Sequence, residues 1–577
     1  MAVTNRAKGQ FKPPSWAQRG KLRLAHVPGG PSEAAAMILS GTWDNAGNNP
    51  GNLMQAARYG PALVEELVAK GCNAVCLTWS LGFSDEGDKV QWEAVRNLLP
   101  LLRRKKIKAV AAVSLSYCFA EEMGKRFPNV ADWQQRDSFG NVITFGGPGD
   151  KGHYPGPLLM DTRQAPWREY LRQKVSRALE AGFDGLIFTG LMCDPTGDVE
   201  FLNEARKLAR EARGESASEF LFCCDAGATW PLNEIVNLKF HHCAAQPGYT
   251  ADGELTTNLA GLKFASEDGG RDKPFVAGVP FRDDAAPPST EEGMKETLAA
   301  AEIMAAGGMF CELAAPAAYV NFGVEHRRFY EGGDPVNTVA VLSGNWDALD
   351  AGPGEREQEL VTFLARHNVQ FDVMPVRNHE RFDLRKYKVI YAGHAHFIPD
   401  ALVAALRSYA EASGGTVIAS PVTGAFETPG HLRLAARPFA LDGPPGRREK
   451  PVGEGRFIEY APPRQMAEVD LPELAELGST LLDDIRACAG PPPIEVQAPD
   501  GLIALLWGKG TKRWVHVLNY RLEPCDATIA LPGCGGRKIA AYSPDAQQPA
   551  LSVLETGQAR AAFALSGIET YAVVEVV

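Results

Sequence analysis

The sequence predicts an α/β protein in three parts: a TIM (β/α)8 barrel over residues 1–334, a flavodoxin-like α/β domain over 335–490 and a small C-terminal β-sandwich over 491–577. Three observations predict this. Between residues 36 and 314, short apolar or β-branched runs alternate with amphipathic helical stretches, the sequence sign of βαβ units around a parallel sheet. After Asp334-Pro335 the alternation restarts on a smaller scale. After Pro491-Pro492-Pro493 only strand and turn patterns remain.

Eight barrel strands are expected, at Ala36–Asp44, Ala74–Ser80, Ile107–Tyr117, Gly185–Leu191, Glu219–Gly227, Leu238–Ala244, Pro274–Arg282 and Gly307–Ala314. Each is a short apolar run bounded by turn residues. Helices fill the gaps at Pro61–Gly71, Val90–Lys106, Trp167–Gly182, Asp198–Arg213 and Glu291–Ala306, the last opened by Ser289 and Glu292 at capping-box spacing. Eight strands in a stretch of this length is the size of one (β/α)8 barrel.

In the second part, strands are expected at Asn337–Gly344, Phe371–Val376, Lys388–His394 and Thr416–Pro421, with helices at Gly354–Asn368 and Pro399–Gly415. That order is doubly wound. Residues 441–464, rich in Gly, Pro and charge, read as a loop excursion, and a helix follows near Leu471–Cys488. Beyond the triple proline, Leu502–Trp507, Lys512–Tyr520, Ala527–Leu531, Lys538–Tyr542, Ala561–Leu565 and Thr570–Val577 read as strands of a sandwich.

Composition supports a folded, many-looped chain. Hydrophobic residues make up 45% and charged residues 22% of 577, which excludes disorder and a fibrous repeat, while 58 Gly and 41 Pro spread along the chain imply many turns. Fifty-nine Lys plus Arg against 70 Asp plus Glu leave a net charge of −11, so no nucleic-acid or anionic-membrane partner is expected. The eleven cysteines include the adjacent Cys223 and Cys224 and fall in apolar runs without a C-x-x-C pair, so they read as buried thiols, not metal ligands. The N-terminal stretch lacks an apolar signal core and no run is long enough to span a bilayer, which predicts a soluble, cytoplasmic protein. No GxGxxG or GxxxxGK[ST] loop opens a helix, so no nucleotide cofactor is expected.

Local sequence adds a resemblance. Ala131-Asp132-Trp133-Gln134-Gln135-Arg136-Asp137 with Gly140, Asp161-Thr162-Arg163, Trp167-Arg168-Glu169-Tyr170 leading into Gly182-Phe183-Asp184-Gly185, Val452-Gly453-Glu454-Gly455-Arg456 and Val515-His516-Val517-Leu518-Asn519-Tyr520 occur in this order. Together with the three-part order they resemble the glycoside hydrolase family 42 β-galactosidases and related glycosidase-like barrels that share their trimerisation-type second domain. The resemblance implies a carbohydrate substrate and a homo-oligomer, a dimer or a trimer. It also implies glutamates at the ends of strands four and seven, where this chain has Thr189-Gly190 and Phe281-Arg282-Asp283-Asp284. The family's catalytic pair is therefore not carried over.

In a barrel the reacting groups come from the C-terminal strand ends and the loops that follow. Glycoside hydrolysis needs a carboxylic acid to protonate the leaving oxygen and a second group to attack or to activate water. The candidates are Glu312 after strand eight, Asp44 after the expected strand one and Asp225 at strand five. Each has a plainer reading: Glu312 as an ion-pair partner of Arg282, Asp44 in an Asx-turn, Asp225 as a helix N-cap. Asp194 precedes Pro195, where turn initiation competes with substrate contact.

The binding candidates follow from sugar chemistry, in which aromatic rings stack on the apolar ring face and amides or hydroxyls take the ring hydroxyls. Trp43 and Asn45 flank Asp44, and Trp79, Tyr117 and Trp230 sit at or just past expected strand ends, as does Tyr319. His153 lies in the long loop after strand three. His241 and His242 end strand six, where alternation lets one of them, taken as His242, face the barrel interior. Arg282 could read an acidic sugar. The leading expectation is a glycoside hydrolase of inverting or atypical mechanism; the alternatives are a carbohydrate-binding barrel that has lost catalysis and a glycosidase for an acidic sugar. In the second domain the turn Ala392-Gly393-His394-Ala395-His396 carries no cysteine nucleophile, so that domain reads as structural and oligomerising.

Overall fold

The computed structural model describes residues 12–27, 59–80, 82–136, 139–143, 157–190, 195–225, 235–243, 246–278, 290–311, 316–344, 354–428, 431–433, 437–461, 474–521, 523–555, 557 and 559–577. The chain divides into two compact units. One comprises residues up to His242 with Asp272–Gly278 and Met309–Val324; the other comprises Cys243–Arg271, Val279–Gly308 and Glu325–Val577.

The first unit is built on an eight-stranded parallel sheet. Its strands, in order around the sheet, are Leu24–Val27, Ala74–Ser80, Lys108–Ser114, Gly185–Thr189, Leu221–Asp225, Leu238–His242, Phe275–Gly278 and Met309–Phe310, numbered here one to eight. The ring closes where the His26 amide donates to the Cys311 carbonyl at 3.1 Å, just past strand eight. Seven strands fall where the sequence placed them. Strand one does not: its place beside strand two is held by Leu24–Val27, paired in parallel with Ala74–Leu77, and Ala36–Asp44 lies outside the described residues. A four-residue strand is too short to show a period, which is why the longer apolar run at Ala36 drew the assignment.

Alternation along each strand sorts two cores. Ala25, Val27, Val75, Leu77, Trp79, Val113 and Phe188 face the helices, whereas Leu24, Ala74, Cys76, Val110, Ala112, Ile187, Cys223 and Phe240 fill the lumen. The lumen cluster also takes in Trp16, Ala17 and Leu22 from the N-terminal segment. That segment is pinned by Glu219, which accepts the Ser15 hydroxyl at 2.7 Å and whose carbonyl accepts the Trp16 indole N–H at 3.1 Å. The helix Asp85–Arg104 starts at Ser84, whose hydroxyl accepts the Gly87 amide at 3.2 Å, and it carries Asp85, Glu86 and Asp88 in the first turn and Arg103 and Arg104 in the last. Both ends thus oppose the helix dipole. The helix Ala165–Ala181 stops at Gly182, which takes a left-handed φ of 89° that side chains rarely adopt. The described cysteines are free thiols, nearly all buried.

The second unit holds a six-stranded sheet in the order Phe371–Pro375, Val339–Ser343, Val389–Tyr391, Thr416–Ala419, Gly455–Ala461, Gly446–Val452. The first five are mutually parallel and the sixth is antiparallel. Residues 446–461 are therefore a hairpin added to the sheet and not the loop the composition suggested. Its outer strand reads Gly-Arg-Arg-Glu-Lys-Pro-Val and is largely exposed. Such charge blunts an edge against further pairing and also masks the strand in the sequence. Further along, a five-stranded antiparallel sheet (Asp334–Pro335, Leu502–Lys509, Lys512–Asn519, Tyr571–Val576, Ile539–Tyr542) and a four-stranded one (Glu495–Gln497, Cys525–Pro532, Arg560–Ile568, Ala550–Glu555) share one core of Leu502, Leu506, Val515, Ile529, Leu531 and Phe563. The helices Leu259–Glu267 and Thr290–Ala305 belong to the same unit. The Glu302 carboxylate joins them by accepting the Asn258 amide at 3.1 Å and the Tyr520 hydroxyl at 2.6 Å.

Candidate active site at the barrel mouth

The lumen changes character from one end of the strands to the other. Below, the inward positions are Leu24, Ala74, Val110, Leu221, Leu238 and Met309; at the C-terminal ends the inward positions on strands one to four are His26, Thr78, Ser114 and Thr189. Backbone register sets Ser114 beside Thr189 and Thr189 beside Asp225 across strands three, four and five. It likewise sets Gly278 of strand seven beside His242. An apolar plug capped by polar groups is what a barrel pocket for a hydroxyl-rich ligand needs.

The chain turns tightly on the strand-three side. The Ser114 hydroxyl donates to the Tyr117 carbonyl at 2.6 Å and accepts the Tyr117 amide at 3.2 Å, which folds the segment back after the strand. This carries Tyr117 to the rim, partly buried, with its hydroxyl 3.5 Å from the Thr189 hydroxyl. Gly190 follows at φ 133°, and a Cβ there would lie 2.3 Å from the Ser116 hydroxyl. Strand four therefore ends in a threonine and a position closed to any side chain. The Ser116 hydroxyl itself is buried without a hydrogen-bond partner.

The loop after strand two is held from beneath. The Phe119 amide donates to the Gly82 carbonyl at 3.0 Å and the Tyr170 hydroxyl to the Phe83 carbonyl at 2.8 Å. Below them Asp88 accepts from the Ser80 hydroxyl at 2.6 Å and from Lys174 Nζ at 2.8 Å. Burial pushes the Asp88 carboxyl up to about 6, against the opposing pull of Lys174 and Ser80.

The sequence-predicted residues divide as follows. Tyr117 stands at the rim. Trp79 does not: it is fully buried on the helix-facing side, donating its indole N–H to the Lys174 carbonyl at 3.1 Å and stacking on Trp92 at 5.3 Å. The bulge between Thr78 and Ser80 does not bring it round. Tyr319 is likewise core, at 2% exposure. Asp225 and His242 are the last residues of strands five and six, described here by their backbone. Trp43, Asp44, Asn45, His153, Asp194, Trp230, Arg282 and Glu312 lie outside the described residues. One residue escaped the sequence reading altogether. His26, on strand one, is inward and partly exposed, and the four-residue run Leu24-Ala25-His26-Val27 is too short for alternation to have signalled it.

In the second unit, His394 and His396 sit in the turn after Val389–Tyr391. Burial, then His396, lowers the His394 imidazole to about 4, so it is neutral near pH 7. Among the described residues no three His, Cys, Asp or Glu side chains gather as metal ligands. No described helix is long and apolar enough to cross a membrane.

No protein-family profile and no curated protein matches the sequence. Solved structures do match by shape. A catalytic mutant of a GH42 β-galactosidase from G. stearothermophilus superposes with a TM-score of 0.60 over 92% of this chain and 97% of its own, at 11% identity. The chain has the fold of the GH42 β-galactosidases. The cold-adapted β-galactosidase from Rahnella sp. R3 gives a TM-score of 0.57 over 96% of this chain and 98% of its own at 13% identity. That from Bacillus circulans sp. alkalophilus gives 0.51 over 97% and 100%, also at 13%. The likeness to the GH42 fold runs through both units, and at these identities it is a likeness of fold alone.

Proposed function

We propose that the protein is a glycoside hydrolase that cleaves a small oligosaccharide or glycoside at the barrel mouth. The observation that carries this reading is the polar upper layer of the lumen, with Thr189 and Tyr117 on its strand-three and strand-four side, in a chain with the fold of the GH42 β-galactosidases over nearly its full length. The carboxylate pool is Glu312, Asp44 and Asp225. Sugar contacts are assigned to Tyr117, with Trp43, Asn45, His153, Asp194, Trp230, His242 and Arg282 as further candidates. Strand four ends in Thr189 and a closed Gly190, so its end supplies no acid, which is why we read the mechanism as inverting or otherwise atypical. We read 335–490 as a flavodoxin-like, oligomerising domain, 491–577 as a β-sandwich, and the whole as a cytoplasmic homo-oligomer.

A screen of chromogenic aryl glycosides tests the reading. Release of chromophore from at least one, with Glu312→Gln or Asp44→Asn lowering turnover at least 100-fold, is the expected result. Full turnover in both variants would overturn the carboxylate assignment. The absent strand-four acid favours one second reading, a carbohydrate-binding barrel without catalysis, which predicts thermal stabilisation by sugars and no chromophore release.

A further inference from the structure

We propose that Tyr170 is a positioning residue for sugar binding, holding the loop after strand two and, through that loop, Tyr117 at the rim; the inference rests on the glycosidase reading, in which Tyr117 contacts the sugar. Trp167 and Tyr170 lie three apart on the helix Ala165–Ala181 and so share one face. Both are buried, and their rings stack at 4.6 Å. Each also ends on a backbone carbonyl beside the mouth. The Trp167 indole N–H donates to the Leu115 carbonyl at 2.9 Å, just past strand three, and the Tyr170 hydroxyl donates to the Phe83 carbonyl at 2.8 Å, in the loop after strand two. One helix face thus holds the two segments that leave strands two and three.

Those segments are locked to each other. The Phe119 amide donates to the Gly82 carbonyl at 3.0 Å, and the Phe83 ring packs on the Phe119 ring at 4.5 Å, which in turn meets the Tyr117 ring edge-on at 6.4 Å. Gly82 takes a left-handed φ of 85° and lies so close that a Cβ there would fall 2.3 Å from the Tyr117 carbonyl oxygen. A shift of Gly82 or Phe83 is therefore passed to Tyr117. The helix does not need the Tyr170 hydroxyl for its own packing: a phenylalanine would keep the stacking on Trp167, and a buried hydroxyl is unfavourable unless it is hydrogen-bonded. Burial raises the pKa of this hydroxyl well above its ordinary value, so it remains a donor at every working pH. Its other neighbour is the Ser80 hydroxyl at 3.0 Å, which donates to Asp88 at 2.6 Å. With the Ser80 hydrogen drawn to that carboxylate, the single Tyr170 hydrogen goes to the Phe83 carbonyl.

The test is steady-state kinetics of the full-length chain on an aryl glycoside that wild type turns over. Tyr170→Phe, Tyr117→Ala and the double variant are compared with wild type, with thermal melting to confirm that each is folded. Tyr170→Phe should raise KM roughly ten-fold and leave kcat within about two-fold. Made in the Tyr117→Ala background, the same substitution should change KM no further. A residue that merely supported the fold would not lose its effect when Tyr117 is removed. Gly82→Ala, which presses on Tyr117 from the same loop, should raise KM in the same way, and it carries the test if Tyr170→Phe does not fold. An unchanged KM in the folded variants, or an equal rise with and without Tyr117, overturns the inference and leaves the glycosidase reading standing. If wild type turns over no glycoside, that reading falls and the inference falls with it.

Discussion

Two buried carboxylates, one in each unit, end with pKa values moved in opposite directions although burial acts on both alike. Asp88, beneath the loop after strand two, is 1% exposed, and one of its oxygens has no hydrogen-bond partner; burial outweighs Lys174 and Ser80 and holds the carboxyl up to about 6. Asp372, at 2% exposure, is surrounded by Arg271 at 2.6 Å, Lys386 at 3.2 Å and the Tyr387 hydroxyl at 2.7 Å, with the Asn337 amide also donating. Burial again opposes the charge there, but Arg271, Lys386 and Lys263 together overcome it and hold the carboxyl well below the usual range. Partner number, not depth, decides the sign.

The comparison predicts unequal losses. Asp372→Ala leaves the buried Arg271 with Glu267 as its remaining close carboxylate and removes the acceptor that Lys386, the Tyr387 hydroxyl and the Asn337 amide share, so a loss of about 3–5 kcal/mol in denaturant-induced unfolding of the second unit is expected. Lys174→Met is milder, about 1–3 kcal/mol at pH 8, because Asp88 can take up a proton when its cation leaves. That second loss should shrink at pH 5, where a neutral Asp88 needs no counter-charge. A Lys174→Met loss equal to that of Asp372→Ala, and unchanged by pH, would break the comparison.

The pH dependence of the wild type sharpens it. Burial raises Glu302 and Glu357 each to about 7, from an ordinary value of 4.5. In both, the folded state keeps its proton after the unfolded chain has lost it, so the stabilisation is complete below about 4.5 and is lost as pH rises through 7. Asp372 acts in the other direction, contributing above its ordinary 3.8 and losing its effect as pH falls below that. The melting temperature should therefore decline between pH 5 and 8, and Glu302→Gln should flatten that decline. A melting temperature that climbs over this interval would contradict the assignment of raised values to buried glutamates.

The same contrast, partners against position, explains what could be read from the sequence. Strands two to eight were legible because each is an apolar run set between helices, and Ala74–Ser80 was legible to the residue. Strand one and the hairpin 446–461 were not, the first for lack of length and the second because its outer strand carries the charges of an exposed edge. The rim position of Tyr117 was legible, because a strand end and the rim coincide there. The orientation of Trp79 was not, because a residue near a strand end can face either way, and alternation turned this one toward Trp92 and Phe183. His26 was missed along with its strand: a lone histidine acquires meaning once Leu24 is known to face the lumen.

The weakest expected effect lies at the surface. Arg560 and Glu495 pair at 2.8 Å across the strand Cys525–Pro532, which lies between theirs in the four-stranded sheet, and each side chain is 45% exposed. Water screens both charges, and two long side chains must be ordered to hold the contact, so Arg560→Ala should cost no more than about 0.5 kcal/mol and lose even that in 1 M salt. Arg271, four-fifths buried against Glu267 and Asp372, forms the same kind of ion pair in a drier place. If Arg560→Ala unfolded as readily as Asp372→Ala, burial would not be what separates these pairs, and the ordering of effects from the interior outward would have to be abandoned.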